Sequence, residues 1–177
     1  MLELGMDKIC RNNLNALRSS LWAKYKRGGK LSDMKFRFAI EPVAQARPRA
    51  KRLGKGIRLY DPPKTAVFKK QLRTLATEMY HDAPVEGEIY LKVAFYRKIQ
   101  KSISKKEHDR RASGAHRPIV KADLSNYLKS FEDALNGVLW KDDAMIVHEE
   151  IDKYYSDKPR IEVEIYAKEF SRNHDRS

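Results

Sequence analysis

Residues 123–137 run Asp-Leu-Ser-Asn-Tyr-Leu-Lys-Ser-Phe-Glu-Asp-Ala-Leu-Asn-Gly, and this stretch decides the fold. At about 100° per residue, five apolar side chains fall on one stripe of a helix. They are Tyr127, Leu128, Phe131, Ala134 and Leu135. Gly137 is typical of a helix end. The stretch therefore predicts an amphipathic helix, at about 125–136, that packs its apolar stripe against a core.

The segments around this helix alternate apolar and polar residues in the manner of half-buried strands. Strands are predicted at about 36–40, 89–96, 145–154 and 160–168. A further helix is predicted up to about Tyr80, with Asp61 as its N-cap and proline in its first turn. The order strand, helix, strand, helix, strand, strand is typical of a two-layer α+β domain, in which helices cover a mixed β-sheet.

The chain divides into three parts by composition. We predict a basic N-terminal helical extension and linker at residues 1–33. The main domain is predicted at residues 34–170, and a frayed basic tail at residues 171–177. An appended helix is the favoured interpretation of the extension. The alternatives are a DNA-contacting arm and the upstream extension of a shorter protein that begins at Met34.

The composition favours an anionic partner and excludes several classes of site. The chain of 177 residues has 37 Lys and Arg against 24 Asp and Glu, a net charge of +13. Such an excess favours nucleic acid, although a merely basic surface is the alternative. Cys10 is the only cysteine and the five histidines are scattered, which excludes an internal disulfide and disfavours a zinc site. With no apolar run of about 20 residues and no signal peptide, we expect a cytoplasmic protein without a membrane partner or a small-molecule cofactor.

Two basic segments, at 41–60 and 98–117, are predicted to be loops that contact DNA phosphates. Their candidate cations are Arg47, Arg49, Lys51, Arg52, Lys55 and Arg58 in the first segment and Lys101, Lys105, Lys106, Arg110 and Arg111 in the second. The alternative for the second segment is a mobile, solvated loop without a defined role. Tyr60 and Trp140 are candidates to stack on opened bases, and Trp140 is favoured as a packing anchor for the loop that follows it.

Carboxylates lie before, along and after the central helix. Asp123 precedes it, Glu132 lies on its polar face, and Asp142 and Asp143 follow a short turn. Oxygen ligands of this kind suit Mg²⁺, which commonly binds one or two carboxylates and keeps several waters. The alternative is that these acids are solvated and that Lys129 forms an ordinary i,i+4 ion pair with Asp133.

The same stretch resembles the RusA family of Holliday junction resolvases. The family pattern is Asp-x-Asp-Asn-x-x-Lys, then Asp-Ala-Leu-Asn-Gly, then Asp-Asp before a strand. The matching residues here are Asp123, Asn126, Lys129, the segment 133–137, and Asp142-Asp143. The segments Arg47-Pro48-Arg49 and Pro63-Lys64-Thr65 are also similar to those of family members, and the resemblance covers about residues 34–170.

The resemblance implies a homodimeric endodeoxyribonuclease that uses Mg²⁺, with Mn²⁺ as a substitute. Such an enzyme resolves four-way junctions by paired symmetric nicks in DNA recombination and repair, and family members are often encoded by prophages. By motif position, Asp123 and Asp143 are implied as metal ligands and Asp142 as an assisting residue. Lys129 is implied to steady the scissile phosphate or the leaving oxygen.

One residue departs from the family pattern. Ser125 stands where the family has its second aspartate, and a hydroxyl is a weaker Mg²⁺ ligand than a carboxylate. Ser125 is instead suited to cap the helix. We predict that Glu132, two turns along the same face, supplies the missing carboxylate, and the alternative is that Glu132 is simply solvated. Two other functions stay open: a branched-DNA-binding relative with impaired catalysis, and an RNA- or ribosome-binding module without chemistry.

Overall fold

The computed structural model describes residues 31–54, 56–120 and 122–168. The elements in chain order are β1 (Leu31–Phe38), β2 (Arg49–Leu53), β3 (Gly56–Tyr60), α1 (Pro63–Met79), β4 (Glu88–Lys98), α2 (Lys105–Ala112), α3 (Leu124–Leu135), a 3-10 turn (Asp143–Met145), β5 (Ile146–Ser156) and β6 (Arg160–Lys168). The strand β1 begins at Leu31, within the segment that the sequence assigned to the N-terminal extension. The rest of that extension and the tail at 171–177 lie outside the described residues.

Four strands form one mixed sheet, in the order β1-β6-β4-β5. The central strand β4 pairs in parallel with β5 and antiparallel with β6, so that Val93 lies between Ile151 and Val163. The strands β5 and β6 are consecutive in the chain, but β4 lies between them. The prediction of a mixed sheet is confirmed, because the alternating segments all became its strands.

Helices α1 and α3 supply the apolar side of the core. The buried side chains of α1 are Thr65, Phe68, Leu72 and Ala76. The whole predicted stripe of α3 is buried, and its Phe131 packs edge-on against Phe95 of β4 with ring centroids 5.9 Å apart. The two-layer α+β arrangement is therefore as expected. Among the described residues, no helix combines the length and the apolar character needed to cross a bilayer.

The first basic segment, predicted as a loop over 41–60, is a loop only over residues 41–48. Residues 49–60 form a hairpin of β2 and β3, a separate two-stranded sheet whose strand residues are all exposed. Gly54 has a φ of +59°, which glycine adopts without the strain that a side chain adds. The alternation of basic and apolar residues at 49–53 and 56–60 fits a ribbon, and sequence analysis missed it because no face of this ribbon enters the core.

The prediction of a mobile loop at 98–117 was also wrong, because this segment contains the helix α2. Ser104 caps the helix, and its side chain accepts a hydrogen bond of 3.3 Å from the backbone N–H of Glu107. Glu107 in turn accepts a hydrogen bond of 2.7 Å from Arg111 and pairs with His116. A cap and ion pairs, rather than an apolar stripe, stabilise this helix, and hydrophobic periodicity therefore gave no sign of it.

Candidate functional site

The helix α3 places its polar residues along one stripe that runs from the exposed Ser125 and Lys129 to the partly buried Glu132. The helix begins at Leu124, with Asp123 at the N-cap position. Ser125 is therefore the second residue of the helix and not its cap, which corrects the prediction. The exposed Asp123 carboxylate makes no capping hydrogen bond.

The carboxyl end of α3 carries the strongest electrostatic perturbation in the described acids. Glu132 is partly buried, and burial together with a hydrogen bond and charge repulsion from Glu149 raises the pKa of Glu132 to about 8. The charges of Asp143 and Asp133 add to this rise. Like charges held close together disfavour ionisation, so this end of α3 is a crowded group of carboxyls.

Glu149 is a site residue that the sequence analysis missed. It lies on β5 opposite Leu91, whose side chain is buried under the helices, and so Glu149 lies on the helix-covered face of the sheet. Glu149 and Glu150 are adjacent acids in the predicted strand at 145–154, and Glu149 is exposed. Only the register of β5 against β4 shows which of the two lies on the same face as Leu91.

The two aspartates after α3 have different surroundings. Asp142 caps the 3-10 turn, and its Oδ1 accepts a hydrogen bond of 2.9 Å from the backbone N–H of Ala144. Asp143 is the first residue of the turn, and its charge acts on Glu132. The charge of Asp143 therefore reaches the carboxyl end of α3, whereas Asp142 shapes the turn.

Trp140 anchors the loop that carries these aspartates. Its side chain is fully buried, and its ring lies 6.1 Å from that of Phe131. Backbone hydrogen bonds from Val85 to Leu139 (3.0 Å) and from Lys141 to Val85 (3.1 Å) hold the loop on either side of Trp140. The favoured packing role of Trp140 is confirmed, and a fully buried indole is not accessible to DNA bases.

The predicted ligands do not all come together. Asp123 and Glu132 are nine residues apart in sequence, which corresponds to about 13 Å along a helix axis. Among residues 31–54, 56–120 and 122–168, no three acidic, histidine or cysteine side chains stand ready-arranged around one ion position. Glu132 and Asp143 belong to one group with Glu149, while Asp123 lies at the opposite end of α3.

The donor chemistry of this group fits a divalent cation. Its members are oxygen donors, the ligands that Mg²⁺ and Mn²⁺ prefer. Their mutual repulsion, which appears as the raised pKa of Glu132, is relieved by a positive charge placed between them. The candidate ligands are therefore Glu132, Asp143 and Glu149, whose side chains would have to converge further to share one ion.

The i,i+4 alternative for Lys129 is weakly supported by the geometry. Lys129 Nζ lies 4.0 Å from Asp133 Oδ1, and the Lys129 side chain is 66% exposed. Asp133 has a closer partner, because Lys69 Nζ lies 2.8 Å from Asp133 Oδ2. The Lys129 amino group is thus directed into solvent on the stripe that leads to Glu132.

The basic hairpin, residues 49–60, has two chemically different faces. Residues directly opposite in an antiparallel pair share a face. One face therefore combines the pairs Arg49–Tyr60 and Lys51–Arg58, and the other combines Ala50–Leu59 and Arg52–Ile57. The first face carries most of the predicted phosphate contacts. Arg47 precedes the hairpin and is exposed, and Lys55 lies outside the described residues.

The predicted cations of the second basic segment have different surroundings on and before the helix α2. Lys101, Lys105, Lys106 and Arg110 are exposed. Arg111 instead donates to Glu107, and its guanidinium lies 4.7 Å from the ring centroid of Tyr155. Arg111 is therefore engaged in packing α2 on β5, and Arg110 pairs with Glu107 at 3.5 Å, whereas the three lysines are exposed to a phosphate.

Comparison with known proteins identifies the family of the chain. The sequence pattern of the family described as "Endodeoxyribonuclease RusA" matches residues 39–166, which include the hairpin, α3 and both aspartates of the 3-10 turn. The chain is also similar to the "Uncharacterized protein YqaN" of Bacillus subtilis (strain 168). The two are 37% identical over 134 residues, a match that covers 75% of this chain and 94% of that protein. The chain belongs to the RusA family of endodeoxyribonucleases.

Proposed function

We propose that this protein is a divalent-metal-dependent endonuclease that cuts four-way DNA junctions during recombination and repair. The observation that carries the proposal is the crowding of Glu132, Glu149 and Asp143 at one end of α3, in a chain of net charge +13. A divalent cation bound at this end of α3 would relieve the repulsion among these carboxylates. Membership of a nuclease family gives that cation a chemical purpose.

When bound, Mg²⁺ or Mn²⁺ would activate a water and offset the charge that develops on the scissile phosphate. Glu132, Asp143 and Glu149 hold and orient the ion in this proposal. Glu149, on the sheet, and Glu132, on the helix, come from rigid elements, which favours a fixed geometry. Lys129 extends from the same stripe of α3 and steadies the phosphate or the leaving oxygen. Asp142 keeps the turn in shape so that Asp143 stays in place.

Asp123 remains a proposed ligand on the strength of its position in the family motif. The distance of about 13 Å along α3 separates it from the ion proposed at Glu132. If Asp123 binds metal, it does so at the other end of the helix or after the first turn of α3 rearranges. Comparison of Asp123→Asn with Glu132→Gln separates these roles, since only a true ligand lowers the affinity for Mg²⁺ as well as the rate.

The DNA partner is bound through phosphates. The cationic face of the basic hairpin and the exposed lysines of α2 suit the sugar-phosphate backbone rather than base edges, so structure selectivity is expected instead of a long recognition sequence. A homodimer completes the proposal, because symmetric resolution needs two nicks on opposing strands. Each chain then contributes one carboxylate group.

The test is nicking of a synthetic four-way junction in Mg²⁺, Mn²⁺ or Ca²⁺. We expect paired symmetric nicks with Mg²⁺ and Mn²⁺, none with Ca²⁺, and loss of cutting in Asp143→Asn. The matched control is Asp82→Asn, which changes an exposed aspartate outside the site and should cut normally. Cutting by Asp143→Asn at the normal rate would contradict the proposal.

The second candidate is a branched-DNA-binding protein with impaired catalysis. Ser125, in the place of the family's second aspartate, favours it, because the amino end of α3 then carries Asp123 alone. Tight junction binding without cutting in any divalent cation would support this candidate. Equal binding to branched and linear DNA, without cutting, would instead favour a general nucleic-acid-binding module.

A further inference from the structure

Lys69 lies between two carboxylates that come from different parts of the chain. Its Nζ is 2.8 Å from Asp61 Oδ2 and 2.8 Å from Asp133 Oδ2, and its side chain is only 18% exposed. Burial lowers the pKa of Lys69, but hydrogen bonds to Asp133 and Asp61 outweigh burial and raise that pKa above its ordinary value. Lys69 is therefore a charged ammonium group shared by both aspartates.

Asp61 also closes the base of the basic hairpin. It directly follows Tyr60, the last residue of β3, and so it does not cap α1 as its sequence position predicted; Pro62 occupies that place. Its Oδ1 accepts a hydrogen bond of 2.8 Å from Gln45 Nε2. Gln45 lies shortly before β2, and this contact therefore joins the two chain segments that enter and leave the hairpin.

The closed base is attached to α3 at two points. The backbone N–H of Gln45 donates a hydrogen bond of 2.7 Å to the carbonyl oxygen of Asn126, in the first turn of the helix. Lys69 bridges Asp61 to Asp133, seven residues further along α3. We call Gln45, Asp61, Lys69 and Asp133 the hairpin clamp. The clamp connects the base of the cationic ribbon to both ends of the helix that carries Lys129 and Glu132.

The basic hairpin needs such a connection. Its strands pair with each other in a sheet of their own, and all their residues are exposed. A two-stranded ribbon without a packed face is only marginally stable, and nothing in its own contacts fixes its direction. The contacts at its base therefore decide where the ribbon lies relative to α3.

We propose that Lys69 is a positioning residue, which through the hairpin clamp fixes where DNA held by the hairpin meets the carboxyl groups of α3. The part of this inference that concerns cleavage rests on the proposed function. An ion triad that served stability alone would lower the free energy of unfolding when Lys69 is removed, but its loss would have no reason to move a cut. A positioning residue affects the rate and the place of the cut.

The first test measures the hairpin without DNA or metal. Spin labels are attached to Leu53→Cys, at the end of the hairpin, and Glu78→Cys, on α1, in a Cys10→Ser background. Double electron-electron resonance measures the distance between the two labels. The distance distribution should be narrow in the labelled protein that keeps Lys69 and broad in Lys69→Met. Lys69→Arg, which keeps the charge, should restore the narrow distribution, and the neighbouring exposed Lys70→Met is the matched control. A narrow distribution in Lys69→Met would overturn the proposal.

The second test measures cleavage of a four-way junction under single-turnover conditions. We expect Lys69→Met to bind the junction nearly as tightly as the wild type, to cut it about 100-fold more slowly, and to spread its cuts over neighbouring phosphodiesters. Lys69→Arg should restore both the rate and the cut position. A broadened distance distribution combined with wild-type cutting would also refute the positioning role.

A further variant keeps the test open if Lys69→Met does not fold. Asp61→Asn preserves the pair between Lys69 and Asp133 but weakens the attachment of the hairpin base, and the same broadening and the same displaced cuts are expected from it. Failure of the wild type to cut any junction would refute the proposed nuclease function. The spin-label distances test whether the hairpin clamp fixes the position of the hairpin in either case, because they do not depend on activity.

Discussion

The substitution Glu132→Gln should stabilise this protein at pH 8 and change its stability little at pH 4.5. Burial and the neighbouring carboxyls, first of all Glu149, raise the pKa of Glu132 from the ordinary 4.5 to about 8. The folded state thus binds this proton more tightly than the unfolded chain does. Stability falls as pH rises from 4.5 to about 8, because over that range folding has to retain a proton that the unfolded chain releases.

The size of the effect follows from the same pKa. The rise from 4.5 to about 8, at about 1.4 kcal/mol for each tenfold change in proton affinity, gives an upper bound of about 5 kcal/mol. The carboxyl is only partly buried and shares its proton with Glu149, and so solvent screening and coupled titration reduce this value. We expect Glu132→Gln to be more stable than the wild type by about 2 to 3 kcal/mol at pH 8.

Urea denaturation followed by tryptophan fluorescence at pH 5, 6.5 and 8 measures the effect. The hydrogen bond to Asp157 raises the pKa of His108, whose stabilising contribution is lost as pH rises. It is present in both proteins, so the difference between them isolates Glu132. The control Glu78→Gln, at an exposed position of α1, should follow the wild-type curve. Parallel pH curves for the wild type and Glu132→Gln would refute the reasoning.

Mg²⁺ should offset the loss of folding stability that ionisation of Glu132 causes at pH 8. At pH 8 a bound cation compensates the repulsion among Glu132, Glu149 and Asp143, so added Mg²⁺ is expected to stabilise the wild type more than Glu132→Gln. Equal stabilisation of the two proteins would place the bound ion elsewhere.

Three further predictions concern the DNA interface, the departure from the family motif and the loop anchor. Replacing Arg49, Lys51 and Arg58 together by alanine should weaken binding to any DNA and reduce the slope of log affinity against log salt by about 3, and an unchanged slope would exclude these contacts. Ser125→Asp restores the family's carboxylate about 10 Å along α3 from Glu132, so it should leave the Mg²⁺ concentration for half-maximal cutting unchanged; a fall of about tenfold would place the metal at the amino end of α3. Trp140→Ala should reduce the free energy of unfolding by about 3 to 5 kcal/mol, measured in urea, and a loss below about 1 kcal/mol would contradict its role as an anchor.

The parts of the fold that the sequence predicted are those governed by burial. The stripe of Leu128, Phe131 and Leu135 on α3 and the alternation along β4 were recognisable because each follows the period of its element. Burial also identified Trp140 as an anchor. Helices and strands with one apolar face can be recognised from the period of their apolar residues. The two-layer arrangement follows from the order of these elements.

The parts that the sequence did not predict depend on polar contacts between distant residues. The basic hairpin and α2 have no buried stripe, and so the period of apolar residues gave no sign of either and both were predicted as loops. The contact of Lys69 with Asp133 joins residues 64 positions apart, and no local pattern encodes it. Glu149 needed the register of β5 against β4 before its approach to Glu132 became apparent.

The candidate site was predicted in its residue types rather than in its geometry. The motif implied Asp123 and Asp143 as metal ligands, and the position of Glu132 on the polar face of the helix added it to the same site. In the structure the charge of Asp143 acts on Glu132, whereas the rise of the helix separates Asp123 from Glu132 by about 13 Å. Sequence spacing gives the angle of a side chain around a helix, but it says nothing about which neighbouring strand completes the site.

The most direct test of the account is anomalous diffraction from crystals of the full chain soaked in Mn²⁺. The account predicts an anomalous difference peak bound by carboxylate oxygens of Glu132, Asp143 and Glu149 at the end of α3, and predicts that this peak disappears in Glu132→Gln crystals. A peak bound only at Asp123, or one that persists unchanged in Glu132→Gln, would contradict the central claim that this group of acids holds the metal.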